Sequence, residues 1–150
     1  MIINRKKWMR TAMLGAVVAL LAALAVAPAS MAAATGLGTK GQATFNACDA
    51  SSGASGFVKW DVGKLEVNVT IPTMKGQLAS LDARYVTSAG TINRLKRDFQ
   101  LDAGGRGVLK IEGTAIPQGQ FARADIINGL APATDPFGGH VLTTDPLPCA

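Results

Sequence analysis

Residues that usually carry chemistry are scarce in this 150-residue chain: one histidine, His140, two cysteines, Cys48 and Cys149, and one tyrosine, Tyr85. One imidazole and two thiols are too few donors for a soft-metal site, which takes four nitrogen or sulfur ligands in structural form. Calcium-loop spacing is absent. Gly53-Ala54-Ser55-Gly56 misses the G-x-S-x-G pattern by one position, so no nucleophile elbow is supported. Aromatics are few as well. Past the first 32 residues there are Trp60, Tyr85 and five phenylalanines, too few for a carbohydrate platform, with Trp60 read as core. After Ala34 no segment repeats its apolar residues every 3.6 positions, which excludes a helical domain, and there is no internal repeat.

What is present first is an address. Arg5, Lys6, Lys7 and Arg10 precede an uncharged run from Thr11 to Ala27, and the small residues around Ser30-Met31-Ala32 follow. A basic region, an apolar region and a small-x-small site make a secretory signal peptide over residues 1–32. The competing reading is an uncleaved anchor, which would be the only membrane association. Paired arginines and a lipid-accepting cysteine are missing from this segment. Four of the 15 basic residues lie in it, which leaves 11 against 10 acids in the rest. The basic pI of 9.6 therefore says nothing about a nucleic-acid partner, and none is expected. The expected location is secreted or extracytoplasmic.

Residues 33–41 read as a flexible lead-in. Gly36-Leu37-Gly38-Thr39-Lys40-Gly41 matches G-x-G-x-x-G, but a dinucleotide loop needs a strand before it and a helix after it. An extended segment follows instead, so the match is a coincidence of glycine content and no cofactor is expected.

Residues 42–150 read as a single β-sandwich domain. Lys64-Leu65-Glu66-Val67-Asn68-Val69-Thr70-Ile71 alternates polar and apolar residues without fault, placing Leu65, Val67, Val69 and Ile71 on one face of a half-buried strand. Other strands are predicted near 42–47, 56–60, 78–86, 91–101, 107–116, 120–128 and 140–144, separated by turn residues. The fold class is all-β, an antiparallel sandwich of about seven to eight strands. Asn68-Val69-Thr70 is an N-glycosylation sequon, but its place inside the organising strand makes a chance match the better reading.

An even cysteine count in an exported chain predicts a Cys48–Cys149 disulfide. Cys48, Trp60 twelve residues on, and a second cysteine loosely resemble the immunoglobulin pattern of two sheets bridged beside a tryptophan. The resemblance implies an immunoglobulin-like architecture and no particular family. The separation of 101 residues between the cysteines is long for that pattern, and Leu147-Pro148 stands where a tyrosine corner would place its tyrosine.

Charge complementarity predicts two hairpins. With Leu101 opposite Gly107, Phe99 faces Leu109, Asp98 faces Lys110 and Lys96 faces Glu112. A two-residue loop at Pro117-Gln118 then sets Glu112 opposite Arg123 and Lys110 opposite Asp125, with Ala122, Ala124 and Ile126 inward. Arg97 breaks the scheme, since alternation points it inward. Two function classes remain open: a noncatalytic module that binds an extracellular protein or envelope component, and a small hydrolase using His140 with a carboxylate.

Overall fold

A computed structural model describes residues 36–145 and 149; the signal segment expected over residues 1–32 lies outside them. Nine strands form two antiparallel sheets. The four-stranded sheet has the order β1 (Gly41–Thr44), β3 (Ser55–Asp61), β4 (Lys64–Thr70), β7 (Arg106–Glu112). The five-stranded sheet has the order β2 (Asn46–Ala47), β9 (His140–Thr143), β8 (Gln120–Ile127), β5 (Leu78–Val86), β6 (Ile92–Gln100). This is the predicted all-β sandwich. The ninth strand arises because the first extended segment changes sheets at the buried Phe45, dividing into β1 and β2.

The alternation in β4 holds throughout: Leu65, Val67, Val69 and Ile71 are buried, while Lys64 is exposed and Glu66, Asn68 and Thr70 are half-buried. These side chains meet Ala79, Leu81, Ala83, Tyr85, Leu95, Phe99, Phe121, Ala124, Ile126 and Leu142 of the facing sheet in one apolar core. At one end of the core Trp60 of β3 stacks on Phe121 of β8, with ring centroids 4.2 Å apart. Trp60 is thus a core residue. The lead-in is tied down from Leu37 to Gly38, since Leu37 N–H donates to Phe121 O and Phe121 N–H to Gly38 O. A strand follows the glycines, which is the wrong context for a dinucleotide loop.

Both predicted charge-paired hairpins are corrected. β6 pairs with β5, and β7 pairs with β4 in the other sheet, so the segment between them crosses the sandwich. Lys110 stands opposite Glu66 and Glu112 opposite Lys64. The complementary partners were on β4, and opposite charges cannot by themselves choose between two complementary strands. Phe99 and Leu101 instead approach β7 from across the core. A Cβ on Gly107 would lie 2.5 Å from Leu101 Cδ2 and 2.7 Å from Phe99 Cε2. The crossing is held by Asp102, whose Oδ1 accepts from the Gly104 and Arg106 N–H groups, both at 2.8 Å.

The Pro117-Gln118 hairpin is likewise a crossing. β7 ends at Glu112, a 3-10 turn spans Gly113–Ala115, and β8 enters the other sheet between β5 and β9. A register shift opposite Arg84 and Tyr85 leaves Ala122 unpaired with β5, so Phe121, Ala124 and Ile126 all reach the core. Ala122 is only half-buried. Arg97 escapes burial because β6 is an edge strand, and its guanidinium is exposed. The hairpins that do form are β3–β4, turning at Val62-Gly63, and β5–β6, where Thr87 N–H donates to Thr91 O.

Cys48 and Cys149 are bonded, with Cα atoms 5.5 Å apart. The bridge lies where Cys48 leaves β2 and its N–H donates to Val141 O of β9. It therefore secures one edge of the five-stranded sheet, while Trp60 packs on Phe121.

Candidate functional site

The outer face of the four-stranded sheet carries two depressions, and the strand register organises them. Lys59, Glu66 and Lys110 face one another across β3, β4 and β7, with Gln42 beside Lys59 on β1. Two residues along, Asp61, Lys64 and Glu112 form a second row, extended by Lys40, whose Nζ is 3.2 Å from Asp61 Oδ2. Between the rows the backbone of Gly41, Trp60, Leu65 and Ile111 floors a trough of about 500 Å³ that crosses all four strands. Each row alternates in sign, so its own backbone pairing largely neutralises it. The Val62 N–H donates to Asp61 Oδ1, and this bond with the Lys40 contact holds the Asp61 carboxyl below its ordinary value.

A second depression of about 510 Å³ runs parallel to the first, past Phe57, Asn68 and Val108 to Thr70 and Arg106, over the row Gly56, Val69 and Gly107. Val108 is 59% exposed. The Asn68 side chain donates to Glu66 Oε1 at 2.8 Å, so the sequon asparagine is spent on a neighbour within its strand. β7 closes this end of the sheet, with no strand beyond it among the described residues.

On the outer face of the five-stranded sheet, two carboxylates are buried where strict alternation would leave them in water. Asp82 and Asp125 stand directly opposite each other on β5 and β8, and Arg84 and Arg123 stand opposite in the next row. Like charges facing each other are unfavourable, and each acid is paired instead with an arginine of the next row, Asp82 diagonally across strands and Asp125 along its own strand. Arg94 of β6 grips Asp82 through two nitrogens. The Nε of Arg123 donates to both oxygens of Asp125, at 3.0 and 2.9 Å, and its Nη1 reaches Asp145 at 3.1 Å. Burial pushes the Asp82 carboxyl up, but the hydrogen bond and charge of Arg94, with Arg84 and Lys96, more than offset it and leave it below its ordinary value. The two arginines cover the two acids, and this cluster is a charge lock on the sheet.

His140, the candidate general base, lies beside that lock. Its Nδ1 is 4.0 Å from Asp125 Oδ1 and has no hydrogen-bond partner. A base–carboxylate pair works at about 2.6–3.2 Å, and Asp125 is already engaged by Arg123. The nearby cleft of about 360 Å³ contains Asp49, Ser52 and Asp135 with His140. Its two acids serve the backbone: Asp49 accepts from Ser51 N–H, and Asp135 Oδ2 accepts from Gly139 N–H at 2.6 Å. Among the described residues His140 Nδ1 makes no hydrogen bond to a carboxylate.

The described residues hold a disulfide, a bond that forms in oxidising compartments, and no helix among them is long and apolar enough to cross a membrane. Comparison with protein-family models, curated proteins and solved structures finds no match to this chain.

Proposed function

We propose that this domain is a noncatalytic binding module of the secreted or extracytoplasmic space, engaging an extracellular protein or an envelope component through the outer face of its four-stranded sheet. The observation that supports this reading is the trough that crosses all four strands between two rows of alternating charge. Its depth comes from the side chains standing on either side, so it suits an extended polar partner laid across the strands. Among the described residues β7 is an edge strand, and its outward backbone groups adjoin the trough.

The test is site-specific photo-crosslinking on the surface of the producing cell. A crosslinker at Lys59, in the middle of the trough, is expected to capture a discrete partner, and one at Ile92, exposed on the opposite sheet, is expected to capture none. In the protein carrying the crosslinker at Lys59, Lys64→Glu with Lys110→Glu should weaken capture at least tenfold. Equal labelling from both positions, or capture indifferent to the double charge reversal, would overturn the reading.

A further inference from the structure

Among the described residues four strands form the edges of the two sheets, and they are not equally closed to further pairing. β1 and β2 are four and two residues long. β6 is longer but carries Arg94, Lys96 and Arg97, the last on its core-facing side; short strands and inward-pointing charges are the usual means of keeping a sheet edge from pairing. β7 has neither. It runs seven residues in unbroken register with β4, and its core-facing residues are Gly107, Leu109 and Ile111. Val108, on its outer face, is 59% exposed.

The ladder fixes which backbone groups of β7 face outward. At its two ends Ile71 N–H donates to Gly105 O and Gly113 N–H to Gly63 O, so the odd-numbered residues bond to β4 and the even-numbered ones turn N–H and C=O away from it. Those of Arg106 are taken by Asp102, whose Oδ1 accepts from Arg106 N–H and whose N–H donates to Arg106 O. Val108, Lys110 and Glu112 are left, with no strand beyond them among the described residues.

Charge then selects one way for this edge to pair with itself. A two-fold axis joining β7 to β7 of a second copy must set even-numbered residues opposite even-numbered ones. With the axis at Val108, Arg106 meets Lys110 on both sides; with it at Lys110, that lysine meets its own copy. Axes at Gly107 or Ile111 pair only 106–108 or 110–112. With the axis at Leu109 the whole strand pairs, Val108 stands opposite Lys110, and Arg106 stands opposite Glu112 on both sides. Opposite charges facing each other across strands are favourable and like charges unfavourable.

We propose that this edge joins two copies of the chain, β7 pairing antiparallel with β7 about a two-fold axis at Leu109, so that the two four-stranded sheets become one. Residues opposite each other in a ladder share a face, so the outer faces line up. The row Gly41, Trp60, Leu65, Ile111 then continues into Gly107, Val69 and Gly56 of the second copy, and each trough opens into the other copy's parallel depression. The pairing shares Lys110 and Glu112 with the trough walls, but its bonds are those of the strand edge and do not require the trough to be occupied.

The experiment is sedimentation equilibrium of the secreted protein from micromolar to millimolar concentration, where a monomer–dimer equilibrium is expected. Arg106→Glu alone and Glu112→Arg alone each put like charges at both contacts and should weaken the dimer about tenfold. An equimolar mixture of these two variants makes both contacts opposite in sign and should restore association, a result that variants unable to fold would not give. Val108→Pro removes an outward N–H and none of the bonds to β4, so it should abolish the dimer while leaving the monomer folded by circular dichroism. A monomer at every concentration, a dimer indifferent to Arg106→Glu and Val108→Pro, or no association on mixing the charge variants would each overturn the proposal. Crosslinking from Lys59 does not enter these measurements, so a dimer without a captured partner would retire the trough alone.

Discussion

Trp60 and Phe121 belong to different sheets, yet their rings lie 4.2 Å apart at 19° from parallel, and this stack joins the two layers at one end. Phe121 is fully buried. Replacing it with alanine removes the ring and leaves a void, a change that costs about 3–5 kcal/mol. Urea denaturation of Phe121→Ala should show that loss, and Trp60 emission should shift to the red before global unfolding.

The charge lock predicts an asymmetry between acids. Asp125→Ala leaves Arg123 and Arg84 beside a buried vacancy, and breaking a buried pair from one side costs about 3–5 kcal/mol. Asp98, exposed and bonded to Ser80, should cost about 0.5 kcal/mol or less when changed to alanine. Denaturation midpoints of the two variants decide the matter; equal losses would mean that Asp125 is not the keystone its burial implies.

Gly107 provides a test of how β6 and β7 meet. Because Leu101 and Phe99 occupy the place of its side chain, Gly107→Val overpacks the core and should destabilise by about 1–3 kcal/mol. Phe99→Leu, combined with it, should recover part of the loss. An edge-to-edge hairpin would show no such rescue, so the double variant separates the two topologies.

That correction marks where the sequence was legible. The faultless alternation of residues 64–71 declares a strand buried on one side, and the structure buries the face it names. The cysteine pair was also legible, because two cysteines allow one intramolecular pairing. Pairing partners were not. Lys110 finds a complementary acid in Asp98 or Asp125 as readily as in Glu66, so local charge arithmetic is degenerate and only the packing of two sheets resolves it. The troughs were hidden for the same reason, since their walls come from three or four strands whose order the sequence does not state. The alternating charges of Lys64 and Glu66 were the one visible signal. Burial of Asp82 was invisible because its cover, Arg94, comes from β6 and depends on the register; Arg123 lies two residues from Asp125 on the same strand, but alternation puts both on the outer face and does not announce that Asp125 is covered.

Acid should unfold the domain through particular carboxylates. N–H donation from Arg106 and Gly104 holds Asp102 below its ordinary value, and the net effect of Arg94 does the same for Asp82. A depressed folded-state value means the stabilisation is complete above the unfolded pKa of about 4 and is lost as pH falls below it. Stability measured at pH 7, 4 and 2.5 should fall mainly over the last interval. Asp102→Asn should flatten that fall, and an unchanged slope would remove Asp102 from the account.

Tyr85 gives the alkaline counterpart. Burial pushes its phenol up to about 12, so the folded protein holds a proton that the unfolded chain releases near pH 10. Its contribution is intact below pH 10 and is lost as pH rises toward 12. As the chain has one tyrosine, absorbance at the tyrosinate band should report this residue alone and rise near pH 12 or together with alkaline unfolding.

The Cys48–Cys149 bond joins two positions 101 residues apart at the β2–β9 edge. Tension applied between a point before Gly41 and Cys149 passes through that covalent link and by-passes everything between the cysteines. Only the short run from Gly41 to Cys48 can be drawn out, by peeling β1 and β2 from their neighbours. At about 3.4 Å per residue, reduction would release roughly 340 Å of further chain to the same pull. The bond thus sets how far the domain can extend under load, and redox state decides whether it behaves as a short inelastic link or a long compliant one.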